Sequence, residues 1–368
     1  MSSSVVPNSL LNLTSLRTLG LGKSGLHGEF PSRIFHLPHL QKLVIWNEEG
    51  LTGHIPNFIN STYLLQSLFL LSTGFSGILP DSIANMKSLE LLVVSQSEFH
   101  GSIPTSLWNL PQITSVDLSS NNFNGILPSF ISNLTQITSL DLSYNNFHGI
   151  LPSSISNLPQ ITFLNLASNN FRGNLPSSIS NLTNLASLYL YNNNFTGPFF
   201  SWNAILPELV ILVVSNNSLT GPLPSQVVVP PNLRHLIIGR NLINGTIPSW
   251  VFELPALEYL DLSYNKLIGH TLEFQSSSLM IINLSYNDLN GTVSNSTFEL
   301  RSLSHLILSS NSFSGAILRS NRFSENLKIW WKRHESLASL RYGFLPFLSK
   351  ACTENVLTAE NVRECPQN

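Results

Sequence analysis

At 368 residues the chain has room for two or three ordinary domains, yet only 10% of it is charged against 42% hydrophobic, with Asn and Ser making up the difference. The formal net charge is −2; residues 1–318 carry 10 Lys/Arg and 15 Asp/Glu and residues 319–368 carry 8 and 5. Neither part has the basic stripe that a phosphate backbone requires, which excludes nucleic acid as a partner.

The opening MSSSVVPNSLLNLTSL has no basic n-region and no sustained apolar core, so it does not read as a signal peptide. Its PNSLLNLTS block reads as the tail of an earlier repeat whose front is expected upstream. A unit L-x-x-L-x-L-x-x-N-x-L-x-G-x-I-P then starts at Leu16, Leu40, Leu65, Leu89, Ile113, Ile137, Ile161, Leu185, Leu209, Leu233, Leu257, Leu279 and Leu303, which makes 13 units. Nearly all are 24 residues apart, with one residue extra after Leu40 and two missing after Leu257. Within each unit LxxLxL alternates with period two and predicts a short strand with one apolar face. The Gly at position 13 and the Pro at position 16 turn the chain back. One unit cannot bury its apolar face alone, so the units stack and their strands lie side by side in parallel.

The Asn at position nine, from Asn121 to Asn311, is expected to be buried at the strand end, where its amide satisfies turning backbone. The aromatic at position eleven (Phe75, Phe99, Phe123, Phe147, Phe171, Phe195, Phe313) is expected to form a second internal column. GLGKSG at residues 20–25 matches G-x-G-x-x-G, but a phosphate site needs that loop between a strand and a helix, and these glycines fall at variable positions of the first unit. His36 and His39 have no third ligand at metal spacing. Asp117, Asp141 and Asp261 recur in the LDLS consensus and read as ladder residues rather than an acid/base pair. No catalytic residue, metal or cofactor is assigned, and the chain is not read as an enzyme.

The side chains free to act are those between the leucines, at positions two, three, five, seven and eight, on the concave side. The middle units offer mainly Thr and Ser there, including Thr114 and Thr138. From the eighth unit on, the face carries Tyr189, Tyr191, Val210, Ile211, Val213, Arg234, His235, Arg240, Glu258, Tyr259, Tyr264 and Tyr286. Tyr and Arg dominate binding hot spots, so Tyr189, Tyr191, Arg234, Arg240, Glu258, Tyr259, Tyr264 and Tyr286 are the expected ligand contacts. Ten N-x-S/T sequons occur, of which Asn133 and Asn181, in SNLT on the loop side, are the expected glycosylation sites. After Leu318 the pattern stops. Residues 319–368, which hold both cysteines (Cys352 and Cys365), are read as a non-repeat tail. The longest purely aliphatic run, residues 209–214, is too short to span a bilayer, so membrane attachment is expected only through a segment missing from this chain.

With NNFHGILPSSISNL and NGTIPSW in view, the units resemble the plant-specific class of leucine-rich repeat marked by L-x-G-x-I-P. Residues 243–279, with their shortened unit, are most similar to receptor-like proteins of the Cf disease-resistance class. The resemblance implies an α/β-type horseshoe, a leucine-rich-repeat solenoid with a concave parallel β-sheet and a convex side of loops and short 3₁₀ turns. It also implies an extracellular recognition role at the plasma membrane, in defence or developmental signalling, with a peptide or protein ligand and a co-receptor kinase. The signal peptide, cysteine-paired caps and transmembrane helix of such receptors are not found in this chain. The alternatives are a soluble inhibitor of a secreted hydrolase, similar to the polygalacturonase-inhibiting proteins, or a truncated fragment without function.

Overall fold

The structure, a computed structural model, describes residues 4–59, 63–199, 206–225 and 229–314, together with the backbone of residues 328–330. The chain is a leucine-rich-repeat solenoid. Each LxxLxL segment forms a strand, and position three of each unit pairs with position three of the next: Ser115 with Ser139, Phe163 with Ser187, Ile211 with His235, Tyr259 with Ile281. All pairings are parallel, because each unit returns along its far side before starting the next strand. The strand Lys328–Trp330 pairs in the same way with His305–Ile307. Backbone pairing therefore passes the array end expected at Leu318.

Leucines at positions one, four and six are buried almost completely, as in Leu140, Leu142, Leu164 and Leu166. At position eight the chain must turn sharply away from the strand. All 13 residues there, from Lys23 to Ser310, have φ between 51° and 56°, which marks every unit independently of its leucines. Position nine follows. Asn193 Oδ1 accepts from the Phe171 amide at 3.0 Å, while its Nδ2 donates to the carbonyls of Leu166, Leu190 and Tyr191 at 2.9, 3.2 and 3.3 Å. Asn145, Asn169, Asn241 and Asn287 repeat the pattern and are equally buried. In the second unit Glu48 holds this place, its two carboxylate oxygens accepting from the amides of Ser24 and Leu26 at 2.5 and 2.7 Å. The aromatic column is also present: Phe99, Phe123, Phe147, Phe171 and Phe195 stack nearly parallel, with centroids 6.2–6.4 Å apart.

The return segments differ from the expected simple turn. Residues ten to fourteen form a second set of parallel strands, such as Asn146–Ile150, Asn170–Asn174, Asn194–Pro198 and Ser218–Pro222, paired with one another beyond the Asn ladder. Gly at position 13 belongs to these strands, with positive φ (77° at Gly173): it lies inside them at Gly149, Gly173, Gly197, Gly221 and Gly245 and is their last residue at Gly125, Gly269 and Gly291. Five-residue 3₁₀ turns complete the convex side, for instance Ser129–Asn133, Ser153–Asn157 and Ser177–Asn181. Each begins after the position-16 Pro, whose fixed φ suits a helical start.

Candidate functional site on the concave face

The concave face is more closed than the repeat pattern implies. Parallel strands lie about 4.8 Å apart, and curvature draws their inward side chains closer still. Many residues at positions five and seven are therefore buried, as at Asp141, Asn165, Ser143, Ala167 and Ser263. This corrects the expectation for two proposed contacts. Tyr189 is 1% and Tyr191 7% exposed. They belong to a packed cluster with Phe163, Ala167 and Val213, against which Ile211 and Ile237 also lie. The Tyr189 ring sits 5.7 Å from that of Phe163, and the Tyr191 hydroxyl is 3.0 Å from the hydroxyl of Tyr144, two units away. These tyrosines form a floor. They are not projecting anchors, and Val213, at 1% exposure, is part of the same floor.

The other six expected residues are brought together in units ten to twelve. At position two, Arg234 Nη1 meets Glu258 Oε1 at 3.0 Å, with side chains 58% and 23% exposed. Such an exposed pair adds well under about 1 kcal/mol to stability. At position three, His235 lies edge-on to Tyr259 with centroids 4.6 Å apart, and its Nε2 is 3.7 Å from Glu258 Oε2. Burial lowers the His235 pKa, opposed by the Glu258 charge. Burial and the same charge raise that of Tyr259. At position eight, the Arg240 guanidinium lies 4.2 Å from the Tyr264 ring centre, and Tyr264 stacks on Tyr286 at 4.1 Å and 10°. Gly239, between these rows, has no room for a side chain: a Cβ there would fall 2.9 Å from Asp261 Oδ1 and 3.0 Å from Ser263 Oγ.

Position eight makes the choice of residues informative. Its left-handed backbone suits Asn or Gly, and a bulky residue there costs roughly 1 kcal/mol. Arg240, Tyr264 and Tyr286 nevertheless occupy it in three successive units, with φ of 56°, 52° and 55°. The backbone gains nothing from these side chains. A planar cation on two stacked rings, half-exposed along one rim, is instead suited to hold amides, rings and acidic groups of another chain.

Asp117 and Asp141 are neighbours on adjacent strands. Burial raises both, and Asp141 is pushed up to about 7 with help from the Asp117 charge. Ser143 donates to Asp141 through its amide and hydroxyl at 2.9 and 2.6 Å, and Asn165 Nδ2 donates at 2.9 Å. The pair is held by its own ladder, as the recurring LDLS motif implies. Among the described residues no group of three His, Cys, Asp or Glu is placed to hold a metal ion, and no helix is long and apolar enough to cross a membrane. GLGKSG runs from strand Thr18–Gly22 into a turn with no helix behind it. Asn133 and Asn181 end their 3₁₀ turns with exposed side chains. The tail cysteines lie outside the described residues.

A leucine-rich-repeat family model matches residues 111–171 and 207–267. No curated protein matches the chain in sequence. Among solved structures, the chain is similar to the leucine-rich-repeat ectodomain of the Arabidopsis receptor kinase HAESA, in complex with an N-terminally extended IDA peptide hormone (27% identity, TM-score 0.73, covering 90% of this chain and 60% of that one). It is also similar to the plant peptide hormone receptor RGFR1 in complex with RGF2 (26%, 0.69, 89% and 64%) and to the Leptospira interrogans repeat protein LIC12759 (27%, 0.60, 84% and 88%). The chain thus spans less than two thirds of either plant ectodomain.

Proposed function

We propose that this solenoid is a non-catalytic recognition module that binds an extended peptide or protein segment across units ten to twelve of its concave face. The observation that carries the reading is the Arg240–Tyr264–Tyr286 stack beside the Arg234–Glu258 pair, side chains the scaffold does not require. Ligands with mixed charge suit it, since both signs are presented together. The similarity to ectodomains solved with peptide hormones supports the same class of ligand. On this reading the chain is part of an extracellular receptor-like protein, resembling the Cf class in defence or developmental signalling, glycosylated at Asn133 and Asn181. A co-receptor kinase completes the signal, as SERK1 accompanies HAESA and IDA in a further related structure.

The test uses a peptide selected on the full chain from a random dodecapeptide library, with its affinity measured by fluorescence anisotropy. Tyr259→Ala and Tyr264→Asn, the latter keeping a residue suited to the left-handed backbone, should each weaken binding at least tenfold, since hot-spot truncations cost about 2 kcal/mol. Thr114→Ala and Thr138→Ala should leave it unchanged. A ligand lost only in the threonine variants places the site elsewhere.

A further inference from the structure

The first four units carry a second concave surface of different chemistry. Their positions align across the sheet: Gly20, Val44, Phe69 and Val93 in one row, Gly22, Trp46, Leu71 and Ser95 in the next. In units five and six the corresponding residues are Asp117, Asp141, Ser119 and Ser143, so the scaffold does not demand large apolar groups there. Val44, Trp46, Phe69 and Leu71 remain half-buried, open to the concave side.

The first unit supplies a recess beside them. A Cβ built on Gly20 meets nothing within 4 Å, and one on Gly22 would fall 2.1 Å from the Trp46 indole nitrogen. The indole is thus laid across bare backbone, leaving open floor next to it. Lys23 Nζ stands 4.8 Å from the Trp46 ring centre. Arg17 and Lys42 are exposed on the same side, and none of the concave positions of units one to three carries an acid; the first is Glu90, in unit four. Cations beside an indole and a glycine floor favour a carboxylate that is partly withdrawn from water. Three cations next to this much apolar surface do not suit a polyanion, which would leave Phe69 and Leu71 uncovered.

We propose that units one to four form a separate docking site for an acidic-apolar peptide segment, its Asp or Glu beside Gly20, Lys23 and Lys42 and its large apolar residues on Trp46, Phe69 and Leu71. This site does not depend on units ten to twelve, and the two are told apart by variant. A random dodecapeptide library is selected on the full chain, on Lys42→Glu, on Leu71→Glu and on Tyr259→Ala, each first checked for unchanged circular dichroism. The wild type and Tyr259→Ala should enrich peptides with Asp or Glu next to Leu, Phe or Trp. Enrichment of that class should fall at least tenfold on Lys42→Glu and Leu71→Glu, and such a peptide should change indole fluorescence in the wild type but not in Trp46→Phe. The proposal is overturned if no such class is enriched, if the class persists on Leu71→Glu, or if it is lost only on Tyr259→Ala. The last result would leave the units ten-to-twelve reading intact.

Discussion

Replacing Asn193 by Ala removes one rung of the internal ladder, and the geometry says which atom suffers. The carbonyl of Leu166 keeps Asn169 Nδ2 at 3.2 Å, that of Leu190 keeps Asn217 Nδ2 at 3.0 Å, and that of Tyr191 keeps the Ser168 amide at 2.8 Å. The Phe171 amide, which donated to Asn193 Oδ1 at 3.0 Å, is left without that acceptor inside the stack. One orphaned buried donor costs about 1–3 kcal/mol. At about 2 kcal/mol the Phe171 amide should exchange with solvent deuterium roughly 30-fold faster, and the denaturation midpoint should fall. Asn192→Ala is a poor control, because φ at that position is 53° and Ala there carries its own strain. Asn194→Ala is better: Asn194 is exposed in an extended strand, and a change there should stay within about 0.5 kcal/mol. Equal exchange at Phe171 in the wild type and the Asn193→Ala variant would refute the ladder argument.

Asp141, pushed up to about 7, binds its proton more tightly in the folded chain than in the unfolded one. Its contribution is therefore greatest below the unfolded value of about 4 and falls as pH rises toward about 7. The thermal midpoint should be lower at pH 8 than at pH 5, and Asp141→Asn should flatten most of the difference; a midpoint that rises over this interval contradicts the assignment. Glu48→Ala removes the acceptor of both the Ser24 and Leu26 amides, so unit one should fray, with faster exchange at those two amides and none at Phe171. Uniform exchange changes along the whole array would show that Glu48 acts otherwise.

Much of this architecture was legible in the residue pattern. The 24-residue period with LxxLxL placed the concave strands of all 13 units but not Lys328–Trp330, and the recurrence of Asn145, Asn169 and Asn193 marked a buried amide because an exposed one has no reason to recur. The second sheet was missed although its signal was present. In NFHGIL the alternation of Asn146, Phe147, His148 and Leu151 continues past position nine, but Gly149 in its midst reads as a turn when it is a left-handed residue within a strand. Glu48 was missed because a carboxylate serving as a ladder residue shares no letter with Asn. The site was half legible. Periodicity tells which residues point inward, not how tightly a curved sheet packs them, so Tyr189 and Tyr191 were placed at a surface they only underlie. Trp46 and Leu71 stood at the same position of their units as Tyr191, and only the bare backbone of Gly20 and Gly22 gave them a setting.

Hydrogen exchange of the full chain, with and without a selected peptide that is sensitive to Tyr259→Ala, tests the concave binding surface most directly. Amides of strands His235–Ile237, Tyr259–Asp261 and Ile281–Asn283, and of the position-eight residues Arg240, Tyr264 and Tyr286, should be slowed by the bound peptide. The 3₁₀ turns Ser129–Asn133 and Ser177–Asn181 on the convex side should be unaffected. Protection confined to those convex turns, with the three strands unchanged, would contradict recognition on the concave face.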